Sequence, residues 1–172
     1  AGQRKTSKQA KIEVEKALKG EVNGHLVSLF NQHGTKAIGL SGKDAQLVVA
    51  QKRYHKHKEN GLTEYQDLGQ VGNVKTVNSD FIESLLNQGI TPVITCIADD
   101  AKGLTFNINA DVFAGSIAGA LNADELLVLT DVDGLLMDKD DDNSLIDTAN
   151  FQKIASLIEN EVIKGGMIPK VE

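Results

Sequence analysis

The chain has 172 residues and a mass of 18.5 kDa, enough to bury the core of one domain. Eighteen Lys and Arg against 24 Asp and Glu leave a net charge of −6, which argues against a protein built to coat nucleic acid or an anionic membrane. A composition of 41% apolar and 24% charged residues argues against wholesale disorder, and a single cysteine, Cys96, excludes an internal disulfide or a multi-cysteine metal site and fits a reducing compartment.

In chain order, Thr6 to Lys19 reads as a helix stopped by Gly20. A second helix follows, with Asn23 as its cap and Leu26, Val27, Leu29 and Phe30 as its buried side. Ala37 to Leu40 is a short apolar strand. Leu47 to Ala50 is a strand running out into a polar stretch, and Leu68 to Val77 is its partner, with Gly69 and Gly72 as bulge positions. Residues 47–77 therefore predict a projecting hairpin, whose basic run Lys52 to Lys58 reads as a solvated arm without aromatic platforms for bases. Ser79 to Asn87 is a helix capped by Ser79 and closed by Gly89. Pro92 to Ile97 is a strand containing Cys96 as a small core residue, and Asp99 to Gly103 is a turn into a strand ending at Ile108. Asn109 to Leu121 is a helix rich in Ala and Gly. Glu125 to Thr130 reads as a buried strand, Asp138 to Asn143 as an acidic loop and Asn150 to Asn160 as an amphipathic helix. The four histidines fall on helical or hairpin positions that face solvent.

Helices alternating with near-continuous apolar strands predict an α/β fold with a mainly parallel sheet covered on both faces. No stretch reaches the roughly 18 to 20 apolar residues of a membrane span. The polar start without Met, and an end on Gly165 to Glu172 that reads like the opening of an element, predict a piece of something longer.

In such folds ligands sit beyond the carboxyl ends of strands. Three junctions qualify. At the first, Asn107 ends a strand, Asn109 can cap the next helix and Asp111 falls in its first turn; an ordinary cap with a dipole-compensating acid explains the same residues. At the second, Thr130 and Asp131 sit where a nucleotide or magnesium can be met, and Asp133-Gly134 is a routine turn pair. At the third, Lys170 follows Gly165-Gly166 and Pro169; it can reach a phosphate, or be a surface lysine after a glycine loop. Gly39 to Asp44 is similar to a phosphate loop but has the wrong spacing.

Seven stretches, in order, are GQRKT (Gly2 to Thr6), VN (Val22-Asn23), AIGLSGKDAQL (Ala37 to Leu47), DLGQVGNV (Asp67 to Val74), NINAD (Asn107 to Asp111), LTDVDGLL (Leu129 to Leu136) and GGMIPKV (Gly165 to Val171). Together they resemble the amino-acid kinase family, in the branch acting on N-acetylglutamate. The resemblance implies a three-layer αβα sandwich over residues 1–172, one domain incomplete at both ends. It implies phosphorylation of the side-chain carboxylate of N-acetyl-L-glutamate by ATP with Mg2+, in arginine biosynthesis, in the cytoplasm or an organelle matrix. Partners implied are a second copy in a homo-oligomer and a nitrogen-signalling regulatory protein.

By the same resemblance, Arg4 pairs with a substrate carboxylate and Asn107 holds the acetylated amino acid. Asp111 orders the catalytic lysines, and Lys170 stabilises the transferring phosphoryl group. Asp131, Val132, Asp133, Gly134, Leu135 and Leu136, with Val162, Ile163 and Lys164, line the nucleotide, beside Thr130. No protein metal ligand is implied. The Lys-x-Gly-Gly and His-Gly-Gly-Gly segments typical of the family do not occur in this sequence, so the 172 residues alone are expected to be inactive or nearly so. The alternatives are a kinase of N-acetyl-aminoadipate, one methylene longer, and a catalytically dead substrate-binding regulatory module.

Overall fold

Ser7 opens the first helix, its hydroxyl accepting from the Ala10 amide at 3.1 Å. The computed structural model describes residues 6–59, 62–132, 134–138 and 140–171. The chain divides into two compact units, one ending at Leu126 and one beginning at Leu127.

In the first unit, α1 (Lys8–Glu15), a π-helical segment (Lys16–Val22) and α2 (Asn23–Gln32) run on without a break. Gly20 therefore does not stop a helix, and Asn23 caps none: its φ and ψ of −62° and −47° are helical. The wider π turn re-phases the helix and Asn23 ends up 4% exposed, its side-chain amide donating to the Val93 carbonyl at 2.8 Å. Gly39 lies beneath it; a Cβ there would stand 2.1 Å from Asn23 Oδ1. The expected buried side of α2 is corrected too, since Leu26, Leu29 and Phe30 are exposed.

β1 (Ala37–Ser41) pairs in parallel with β4 (Thr91–Thr95). β2 (Val48–Glu59) and β3 (Leu62–Val77) form a long antiparallel pair, and β5 (Ile97–Asp99) and β6 (Thr105–Ile108) a short one. Parallel contacts β3–β6 and β2–β5 close these four into a ring. The strand expected over Pro92 to Ile97 is two strands. The chain leaves β4 at Cys96 to serve the other sheet, and the Cys96 carbonyl accepts from the Ile108 amide at 2.9 Å. Cys96 is partly buried and packs against the core; burial raises its thiol pKa.

Asn78, not Ser79, caps α3 (Ser79–Asn87), accepting from Phe81 N at 3.2 Å. α3 contributes Ile82 and α4 (Ala110–Ala120) contributes Phe113 to a core with Leu47, Val48, Ala98, Phe106 and Ile108. The hairpin's cations are engaged: Lys52 pairs with Asp67 at 2.6 Å and Arg53 donates to Asn73 at 3.1 Å. His25 and His33 are exposed, whereas His55 is half-buried.

In the second unit the strand expected up to Thr130 is absent. Leu127 and Leu129 are 83% and 96% exposed, and none of the described strands pairs with this run. An apolar run becomes a strand only where a ladder partner and a covering layer exist. Leu136 bridges Leu145 around the acidic loop. Asn150 caps α5 (Phe151–Glu159), accepting from Lys153 N at 2.9 Å, and α5 buries Leu157. A 3-10 turn (Gly165–Met167) leads into α6 (Ile168–Val171). Among the described residues no helix is long and apolar enough to cross a membrane.

Candidate functional site

The first unit carries the Asn107 junction. Asn107 sits on β6 between two neighbours, opposite Ile97 of β5 and Val71 of β3. One residue past the strand, Asn109 caps α4 by accepting from the amides of Asp111 and Val112 at 3.0 and 3.1 Å. Asp111 is half-buried in the first turn, where the helix dipole favours an anion. The expected cap and the expected first-turn acid are both in place.

The start of the chain meets the same stretch of β3. Thr6 N donates to Leu68 O at 3.0 Å, and Gln70 N donates to Thr6 O at 2.8 Å. This close approach requires Gly69: its φ is +75°, and a Cβ there would lie 2.3 Å from Thr6 O. Gly69 belongs to an irregularity in the β2–β3 register, between the Lys52–Gly72 and Tyr54–Asp67 pairs. Gly72, also expected as a bulge, has a different reason. A Cβ there would stand 2.8 Å from Phe106 Cβ, so it lets β6 pack closely. Thr6 and Asn107 thus flank residues 69–71 of β3. Arg4 lies outside the described residues.

The turn after β1 is an ion cluster rather than a phosphate loop. The Asp44 carboxylate accepts from Ser41 N at 2.7 Å and Ser41 Oγ at 2.9 Å, and pairs with Lys19. Lys43 pairs with Glu15 at 2.9 Å and stands 4.0 Å from Asp99. Burial alone raises the Glu15 and Asp44 carboxyls, but their lysine and hydrogen-bond partners outweigh it and hold both below their ordinary values. The hydrogen bond to Glu15 raises Lys43. No periodicity announces this cluster, because its members come from α1, the π-helical segment, β1 with the turn after it, and β5.

The second unit carries the other two junctions. Thr130 Oγ1 donates to Asp131 Oδ1 at 3.3 Å, and both residues are exposed. Asp133 lies outside the described residues. Gly134 has a φ of +153°, and a Cβ there would meet Leu145 Cδ1 at 2.8 Å. Ile146 N donates to Leu135 O at 2.8 Å and Met137 N to Ser144 O at 2.9 Å, which holds residues 135–137 as one wall of a cavity. The opposite wall is the chain after α5.

This cavity measures about 570 Å³, within the range of small-molecule sites. Of the residues expected along a nucleotide, Val132, Gly134, Leu135, Leu136, Val162 and Lys164 line it. Thr130 and Asp131 do not, and Ile163 is 2% exposed and turned into the packing. Met137, Asp138, Glu161 and Met167 also line it and were missed. Met137 and Asp138 simply continue the LTDVDGLL stretch, so extending it by two residues would have found them. Lys170 lies in the last turn of α6, partly exposed.

Residues 2–172 match the amino acid kinase family. The acetylglutamate kinase of Carboxydothermus hydrogenoformans is 45% identical over 159 residues, 92% of this chain and 54% of its own length. That of Archaeoglobus fulgidus is 44% identical over 171 residues, 99% of this chain and 59% of its own length. The chain therefore spans little more than half the length of these curated relatives. The crystal structure of smu.665 from Streptococcus mutans superposes with a TM-score of 0.80 at 29% identity, covering 99% of this chain and 64% of that one. N-acetylglutamate synthase from Neisseria gonorrhoeae, solved with coenzyme A and N-acetyl-glutamate, has a TM-score of 0.75 at 19% identity, covering 97% of this chain and 35% of that one; it shares the fold.

Proposed function

The chain belongs to the amino acid kinase family, and from that premise we propose that it serves the ATP-dependent phosphorylation of the side-chain carboxylate of N-acetyl-L-glutamate. The observation that carries this reading is the cavity between residues 132–138 and 161–167. Two stretches some 25 residues apart in sequence form its walls, and six of their residues, Val132, Gly134, Leu135, Leu136, Val162 and Lys164, were expected along a nucleotide. Its apolar lining of Val132, Leu135, Leu136, Met137, Val162 and Met167 suits a flat base, and its rim carries the charges of Asp138, Glu161 and Lys164.

The acceptor carboxylate is already ionised near neutral pH, so no general base is needed. Its oxygen bonds to the γ-phosphorus as the bond to the bridging oxygen breaks; an acyl phosphate forms and ADP leaves. Catalysis then reduces to alignment and charge compensation. Arg4 and Asn107 hold the acetylated amino acid, Asp111 orders the lysines, and Lys170 offsets charge on the moving phosphoryl group. Among the described residues no three His, Cys, Asp or Glu side chains gather as metal ligands; magnesium enters this reading only with the nucleotide. The exposed Leu26, Leu29 and Phe30 of α2 support assembly with a second copy. The reaction belongs in the cytoplasm or an organelle matrix, where ATP is at hand.

Calorimetric titration of the 172-residue chain with ATP, N-acetyl-L-glutamate and N-acetyl-aminoadipate tests the reading. Both ATP and N-acetylglutamate are expected to bind, the latter about tenfold more tightly than its longer homologue. Binding of neither ligand would overturn it. Turnover is tested in a chimera in which this chain replaces the matching part of the Carboxydothermus hydrogenoformans enzyme. Lys170→Ala there is expected to lower kcat about 100-fold or more with little change in KM; unchanged kcat removes Lys170 from its role.

A further inference from the structure

Helix α5 ends in paired hydrogen bonds, Glu161 N to Ile158 O at 3.0 Å and Val162 N to Leu157 O at 2.9 Å. This is a Schellman turn, and the residue at the Glu161 position must adopt a left-handed backbone, which favours glycine. Glu161 adopts it, with φ of 57°. A side chain carrying a Cβ is penalised there, and strained backbone of this kind is met at functional sites.

The strained residue stands on the cavity wall. Its carboxylate pairs with Lys164 Nζ at 3.2 Å, the two side chains being 79% and 65% exposed. An ion pair so exposed contributes little and yields readily to a ligand. The other carboxylate on the rim, Asp138, is committed to its own loop, accepting from Asp140 N at 3.0 Å. An apolar slot that takes a base leaves the sugar at its rim, and a carboxylate is the usual acceptor for ribose hydroxyls.

We propose that Glu161 reads the ribose of the nucleotide, accepting hydrogen bonds from its hydroxyls and so setting a preference for ribonucleotides over deoxyribonucleotides. The assignment rests on the nucleotide reading of this cavity. It explains why a glutamate occupies a backbone position suited to glycine.

The test is calorimetric titration of the full 172-residue chain with ATP and with 2′-deoxy-ATP, in the wild type, Glu161→Gly and Glu161→Gln. The wild type is expected to bind ATP about tenfold more tightly than 2′-deoxy-ATP. Both variants are expected to bind 2′-deoxy-ATP as the wild type does and to lose most of the preference for ATP. Glu161→Gly is also expected to raise the melting temperature by about 3 °C, because glycine relieves the left-handed strain, so a lost preference cannot be put down to misfolding. ATP binding with a preference unchanged in both variants overturns the Glu161 assignment alone. A wild type that binds no ATP overturns the nucleotide reading and the assignment with it.

Discussion

Two glycines with opposite environments show what a single Cβ decides. Gly69 has φ of +75° and faces Thr6 O at a would-be 2.3 Å, whereas Gly20 sits in the π-helical segment with nothing within 4 Å. Gly69→Ala is expected to destabilise by about 2 kcal/mol or more, since it adds a left-handed penalty to a backbone clash. Gly20→Ala is expected to stabilise by up to about 1 kcal/mol through helix propensity. Urea unfolding midpoints separate them; a harmless Gly69→Ala would refute the close approach of Thr6 to β3. The DLGQVGNV stretch flagged both Gly69 and Gly72, but only the pairing of β3 with Thr6 and of Gly72 with Ile108 of β6 explains why each is needed.

Helix ends were legible only in part: Asn23 and Ser79 were expected as caps and are not, Asn23 lying inside the helix and Asn78 capping α3. Asn109 was expected as a cap and is one, because a cap is a local hydrogen bond and depends on few other residues; Asn150 caps α5 in the same way, although the sequence reading assigned it no cap. Asn109→Ala is expected to cost about 1 kcal/mol and to fray α4, lowering helical ellipticity on heating. The junction of α1 and α2 was misread because the π segment carries the helix straight through Gly20, and what Asn23 does there is fixed by Val93, 70 residues away. The same helix is pinned at Glu15 and Lys19 to the turn after β1. Glu15 and Asp44 have folded-state pKa values below their ordinary 4.5 and 3.8, so their contribution is present above those values and is lost as pH falls through the lower folded ones. Stability against urea is expected to drop on acidification below about pH 4. The drop should shrink in a Glu15→Gln, Asp44→Asn double variant, and an equal drop in that variant would remove the cluster from the account.

Across the whole molecule the two units differ in how they use apolar sequence. In the first, Leu47, Val48, Phe106 and Ile108 are buried in a shared core; in the second, the Leu127 to Leu129 run is exposed. Leu129→Asp is therefore expected to leave the melting temperature within about 1 °C of the wild type, and a loss of several degrees would show that this residue is covered in solution. The run looked like a buried strand because composition reports only what a segment is able to bury. Composition, the alternation of helices and apolar strands, the Asn109 cap and the order of the seven stretches were determined by the sequence itself, because each depends on the chain's own residues or on neighbours a few residues away. The tertiary structure alone decided that one apolar run splits at Cys96 between two sheets and that Glu15, Lys43 and Asp99 meet. It alone decided that residues 132–138 and 161–167 enclose a cavity. These are contacts between distant segments, and the free energy that selects them comes from partners that no local pattern names.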